Sequence, residues 1–294
     1  MISLKTSLDH LPEGKQEELR SITDTIVELV EPAMVILFGS YSRGNWVEDR
    51  YQVDGTTYEY KSDYDILVVT ERPQDMPPSL SKQIRRRVKK AENLQTPPHI
   101  IFHDIGFLNK ELQEGHYFFT DIVKEGTMLY NNGKHVLSTP KELSPKDRAH
   151  KARLYFNEWF KSANRFFEDY DHNFTKGSGD DDYYKNAVFN LHQAAERYFM
   201  TILLVFTDYK PKIHDLDILN RQVGYADARF KTVFPNQTEE EKRLFTLLVK
   251  AYIDSRYKLG YTIDAGDLKW LAARVQKLKE LTETICLEQI GGMV

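Results

Sequence analysis

The sequence predicts an α+β protein in two parts, an α/β half followed by an all-α antiparallel helical bundle. Three observations predict it. Residues 33–38 and 66–69 are short apolar runs rich in β-branched residues and bounded by Gly, Asn and Asp, which favours buried strands over helices. Beyond about residue 144 the apolar residues recur instead at three- and four-residue spacing, the pattern of helices with one buried face. Between these regions, residues 137–145 are rich in Pro, Ser and Lys and read as a linker, dividing the chain into domains 1–136 and 146–294. Each is large enough for a core of its own.

The elements follow in order. Leu19, Ile22, Ile26, Leu29 and Val30 mark one face of a helix over 11–30, with Pro32 just past its end. The first strand, 33–38, stops at Gly39-Ser40, and 41–45 reads as a short helix or turn containing Arg43 and Gly44. Residues 47–60 place Asp54-Gly55 between alternating aromatic and β-branched residues, a hairpin signal; the hairpin could cover a site or merely decorate an edge. Ser62-Asp63-Tyr64-Asp65 then leads into the second strand, and a helix over 79–94 carries the densest basic run, residues 84–90. Such a run is expected as a solvated face, with phosphate or RNA contact as the sharper alternative. Pro97-Pro98 precedes a third strand, His99-Ile-Ile-Phe-His103-Asp104, and a last short strand ends near Tyr130.

Asp63 and Asp65 lie two apart on an extended chain, so both carboxylates leave the same face, roughly 6.6 Å apart. That pattern can hold divalent cations between carboxylate oxygens. At the end of the preceding strand, Gly39 lets a phosphate approach the backbone and Ser40 offers a hydroxyl to it. In this order, Gly-Ser, a further Gly at Gly44, then Asp-x-Asp on the next strand, the region 10–133 resembles the nucleotidyltransferase superfamily that includes the DNA polymerase beta-like and minimal nucleotidyltransferases. The gap between Ser40 and Asp63 is long for that family, and 47–60 looks inserted. The resemblance implies a mixed sheet, Mg²⁺ (or Mn²⁺) on Asp63 and Asp65, and a nucleoside triphosphate, ATP as the expected one, near Gly39, Ser40, Arg43 and Gly44. It also implies a third carboxylate on a later strand. Asp104 is the acid available there and is nominated as third metal ligand and general base, although its place at the strand end also suits a helix cap. His103 alternates with it and could line the site instead.

In the second half, Ser144-Pro145 signals a helix start. Helical stretches follow over 149–170, 183–206, from 213, over 239–259 and over 266–285, and the flexible 173–182 carries an acidic triplet without EF-hand spacing. Asn190-Leu-His192-Gln-Ala-Ala-Glu196-Arg-Tyr198, then Pro211 with His214-Asp215-Leu216, then Tyr252 with Arg256-Tyr257, resemble a HEPN domain over about 144–288. Many HEPN domains are ribonucleases that use an Arg, four to six residues, then a His. That spacing is missing after Arg197, Arg256, Arg148 and Arg153. His192 is therefore expected as a partly exposed structural histidine, and Arg256 as a nucleotide or acidic-partner contact or a structural ion pair. The resemblance also implies a possible homodimer.

With 41% hydrophobic and 29% charged residues the composition is that of an ordinary soluble protein, and no apolar stretch is long enough to cross a membrane. Cys286 is the one cysteine, which excludes internal disulfides and Cys-based zinc clusters and fits a reducing cytoplasm; no export signal is expected at the N-terminus. The net charge of −4 argues against a large nucleic-acid surface. The sequence thus leads to a cytoplasmic nucleotidyltransferase enzyme acting on an acceptor hydroxyl of a small molecule, a protein or an RNA end, with the helical domain shaping the acceptor side. A nucleotide-binding regulatory or antitoxin-like module is the alternative, and a HEPN ribonuclease a weaker third.

Overall fold

The computed structural model describes residues 4–46, 48–53, 56–75, 80, 83–84, 86–88, 94–177, 181–211 and 213–294, with 48–53, 56–61 and 181 described by backbone. The chain divides into two compact units, residues 1–142 and 143–294.

The first unit is built on a four-stranded mixed sheet. Helix α1 (Glu13–Val30) buries Leu19, Ile22 and Ile26 and leads into β1 (Met34–Phe38). Helix α2 (Gly39–Arg43) follows without a break. β2 (Glu48–Val53) and β3 (Thr56–Lys61) pair with each other as a separate antiparallel hairpin, whose Asp54-Gly55 turn lies outside the described residues. β4 (Tyr64–Thr70) and β5 (Pro98–Asp104) come next. Helices α3 (Ile105–Glu114) and α4 (Tyr117–Glu125) and strand β6 (Thr127–Asn131) complete the unit. The order is β5-β4-β1-β6, with β4 and β6 antiparallel to β1 and β5 parallel to β4. Parallel neighbours need a crossover connection, and 71–97 supplies it. Met34–Leu37 and Ile66–Val69 are fully or almost fully buried, as continuous apolar runs in a central strand pair should be.

Most of the expected helix over 79–94, and Arg85, Lys89 and Lys90 of its basic run, lie outside the described residues. Ile84 and Val88 are buried in the core beneath the sheet, and Arg87 pairs with Glu28 at 2.9 Å. The described part of the run is thus a packed face with a solvated side.

The second unit is a helical bundle. Ser144 caps α5 (Pro145–Lys176) through Asp147 N at 3.1 Å, with Pro145 at the first position. Helix α6 (Asp181–Thr207) is the hub, packing against α5, α7 (Leu216–Ala226), α8 (Glu239–Tyr257) and α9 (Ala265–Gly291). Leu191, Ala194, Ala195, Tyr198, Ile202 and Val205 have no exposed surface, and the paired alanines admit close neighbours. The short link between α5 and α6 makes them antiparallel neighbours. Asp215, Thr238 and Asp264 cap the last three helices, Thr238 in a reciprocal capping box with Glu241. Cys286 is fully buried and burial pushes its thiol pKa up, which makes it inert. Among the described residues no helix is long and apolar enough to cross a membrane.

Candidate functional site

The strand register decides what meets Asp65. β1 ends at Phe38 opposite Asp65 of β4, and Asp65 is the register partner of His99 on β5. The end of β1 and the starts of β4 and β5 therefore share one edge of the sheet. Beyond Phe38 the chain turns at Gly39 with φ of +73°, a conformation that L side chains rarely adopt. A Cβ there would overlap Asp65 Oδ2 and stand 3.1 Å from its Cγ. On its other oxygen, Asp65 Oδ1 lies 3.0 Å from His99 Nδ1. A carboxylate can only accept, so His99 Nδ1 carries the proton and donates. Both side chains keep about 30% exposure, so they face an accessible edge rather than the core. Asp63 sits just before β4, also half-buried.

Behind this edge the packing is tight. Tyr41 and Tyr64 are fully buried with ring centroids 4.5 Å apart, and Trp46 stacks on Tyr41 at 5.4 Å. Tyr64 donates to Glu18 at 3.0 Å. Burial, with Glu18 beside it, drives the Tyr64 phenol pKa far up and keeps it neutral. Ser40 is half-buried on α2, and Gly44, with φ of 80°, closes that helix. Arg43 is half-exposed and pairs with Glu125 at 3.4 Å.

The structure corrects two expectations here. Asp104 is paired with Thr70, at the far end of β5 from Asp65. Five residues at about 3.3 Å each put it roughly 17 Å along the strand from the Asp65 position. Its side chain caps α3, accepting from Phe107 N at 2.9 Å, so it is a helix cap and not a third acid of this edge. His103 is also remote; its ring stacks on Phe107 at 4.5 Å and meets Phe119 edge-on at 5.2 Å. The β5 residue that lies beside Asp65 is His99. The signal was available in principle, because a crossover makes β5 parallel to β4 and aligns the strand starts.

Among the described residues, the trio of His, Asp and Glu with ligand atoms within 4.8 Å of one another is Glu111, Glu114 and His116, at the end of α3. At the sheet edge, Asp63 and Asp65 are carboxylates of the donor type that hard cations take, and Asp65 packs so closely on Gly39 that a Cβ there would overlap it.

In the bundle, three sequence-distant stretches converge. His192 on α6 has no exposed surface and its Nδ1 donates to Leu248 O at 2.9 Å. This corrects the expected partly exposed histidine and removes it from reach of an RNA chain. Its Nε2 lies 3.7 Å from Glu196 Oε2. His214 Nδ1 is 3.2 Å from both Glu196 oxygens, and its ring stacks on Tyr252 at 5.6 Å. Arg256 lies 4.3 Å over Tyr252 and 4.9 Å over Phe189, with its Nε donating to Tyr252 O at 2.8 Å. Among the described residues, Arg256 therefore serves a stacked aromatic cluster rather than an ion pair.

Burial alone would raise the Glu196 carboxyl, but the imidazoles of His192 and His214 outweigh it and hold the pKa below the usual range. A group depressed in the folded state stabilises above its unfolded value and loses that contribution as pH falls through its folded value. In thermal melts, Glu196→Gln is accordingly expected to be less stable than wild type at pH 6–7, a gap that closes on acidification below about pH 4. A gap that stays constant from pH 7 to pH 3 would show that the charge plays no part.

Residues 156–285 match the HEPN domain family, so the helical unit carries a HEPN domain. Its converging stretches are those the sequence pointed to, and the match does not extend into the sheet-bearing unit. No curated protein matches the chain.

Proposed function

We propose that the chain is a divalent-cation-dependent nucleotidyltransferase, moving a nucleoside monophosphate (AMP from ATP as the expected case) onto an acceptor hydroxyl. The observation that carries this reading is Asp65 seated against left-handed Gly39, with Asp63 two residues before it at the same sheet edge. Magnesium or manganese held there by the two carboxylates would neutralise triphosphate charge and make the acceptor hydroxyl more acidic. Ser40 and the backbone around Gly39 would hydrogen-bond the phosphates, and Arg43 would add positive charge once drawn from Glu125. The acceptor oxygen would bond to the α-phosphorus as the bond from it to the β-phosphate breaks and pyrophosphate leaves. The hydroxyl proton would go to a carboxylate of the pair or to water, since Asp104 is committed to its cap. The acceptor classes favoured by the net charge of −4 are a small molecule or a protein hydroxyl rather than a long RNA.

A second reading has its own observation. With His99 and not an acid beside Asp65, the edge can bind a nucleotide while turning it over poorly, as a regulatory or antitoxin-like module would.

The test uses α-labelled nucleoside triphosphates with Mg²⁺, with and without cell extract. Wild type is expected to transfer label to itself or to an extract component. An Asp63→Ala, Asp65→Ala double variant should fall by about a thousandfold, equivalent to several kcal/mol of lost charge stabilisation. Asp104→Asn should stay within about twofold, because Asn also caps helices. Nucleotide bound but never transferred would establish the regulatory reading, and a protein that binds no nucleotide would refute both.

A further inference from the structure

The nucleotidyltransferase reading above assigns no task to the partner of Asp65, although its placement is specific. His99 follows Pro98, the first residue of β5, and the parallel register sets it directly beside Asp65. Its Nδ1–H takes up Asp65 Oδ1 at 3.0 Å, while Oδ2 lies on the Gly39 side. One oxygen of the carboxylate is thus held by a donor, while the other lies beside a residue whose lack of a Cβ leaves room for it.

We propose that His99 is a positioning residue for nucleotide and metal binding, holding Asp65 so that Oδ2 is the oxygen presented to a divalent cation. The inference rests on the nucleotide-binding reading of this edge. Two physical points support it. A carboxylate whose one oxygen accepts a directed hydrogen bond is restricted in rotation about its Cβ–Cγ bond, which lowers the ordering cost of ligation. A hydrogen bond to a ligating carboxylate also fixes which lone pairs remain for the metal, and losing such an outer partner typically weakens metal binding by about 10–100-fold. A third carboxylate in the same place would repel Asp65 and draw in further positive charge. His99 instead keeps the edge at two carboxylates, so it binds one cation–nucleotide complex more readily than a pair of free cations.

The experiment measures binding of a non-hydrolysable ATP analogue with Mn²⁺ by equilibrium dialysis, with the electron paramagnetic resonance spectrum of bound Mn²⁺ as an independent readout. His99→Asn places an amide N–H where Nδ1–H stood, and is expected to bind within about threefold of wild type. His99→Gln moves the donor one methylene outward, and His99→Leu removes it; both are expected to weaken binding about tenfold or more, with altered Mn²⁺ spectra. Should His99→Leu fail to fold, the Asn and Gln pair still decides, because both keep size and polarity. Binding by His99→Leu or His99→Gln equal to wild type would overturn the positioning role while leaving the nucleotide reading intact. Rescue by Gln and not by Asn would overturn it too, since it would assign the function to Nε2. A wild-type protein that binds no Mn²⁺–nucleotide would overturn the underlying reading and this inference with it.

Discussion

Gly39→Ala is expected to reduce the nucleotidyl transfer proposed above by about a hundredfold or more while leaving the protein folded. Two costs combine at this position. The backbone holds φ of +73°, where an L side chain is disfavoured by about 1–2 kcal/mol. The new methyl would also overlap Asp65 Oδ2 and crowd its Cγ at 3.1 Å. Relief requires either the turn after β1 to change or the Asp65 carboxylate to rotate away from it, breaking its bond to His99. Both outcomes displace a reacting arrangement by about an ångström, an error that costs on the order of a hundredfold in rate. Gly14→Ala is the matched control, since a Cβ there meets nothing within 4 Å. It should be neutral or slightly stabilising. Equal transfer by Gly39→Ala and Gly14→Ala would show that the cradle against Asp65 is not part of the working site.

The largest stability effect is expected in the bundle, at Asp208. This residue ends α6 in the left-handed region, with φ of 61°, and its side chain has no exposed surface. It accepts from Lys151 Nζ at 2.6 Å and from Tyr155 Oη at 2.7 Å, pinning the end of the hub helix to the first turns of α5. Removing one member of a buried ion pair leaves the other uncompensated, at a cost of about 3–5 kcal/mol. Lys151 keeps 23% exposure and can turn its ammonium toward water, which places the expected loss near the lower bound, about 3 kcal/mol. In the transition that reports the helical unit, Asp208→Ala should melt about 6–12 °C below wild type. Asp208→Asn should recover part of the loss, because Asn tolerates the left-handed conformation and still accepts from Tyr155. A melting point unchanged in Asp208→Ala would mean that the contact forms without contributing stability.

The first unit shows where linear reasoning works and where it fails. The strands at 34–38 and 64–70 were legible because both are short β-branched runs closed by Gly or opened by Asp, and their burial follows from that pattern. Asp104 was misassigned for a definite reason. Being the acid on the right strand is a property of the sequence, but being at the right end of that strand is a property of pairing. Parallel β4 and β5 bring start to start, so the edge at Asp65 receives the first residues of β5, and its last residue goes to α3 as a cap. His99 carried no composition signal, since a lone histidine after two prolines is ordinary loop-to-strand sequence.

The bundle divides in the same way. Helical spacing, the Ser144 cap and the alanine pair at 194–195 determined which segments are helices and which of them is central, because these depend on local periodicity and small side chains. The recurring residues at 190–198, 211–216 and 252–257 were visible as a set. Nothing in their order said that Glu196 lies between two imidazoles, or that His192 is wholly buried against Leu248. Those facts depend on which helix faces which. By itself, then, the sequence determined the two-part architecture, most of the strands and helices, and the order Gly39-Ser40 followed by the Asp63–Asp65 pair. Only the tertiary structure decided which third side chain joins that pair, because hydrogen-bonded register relates residues far apart in the chain and leaves no mark on local composition.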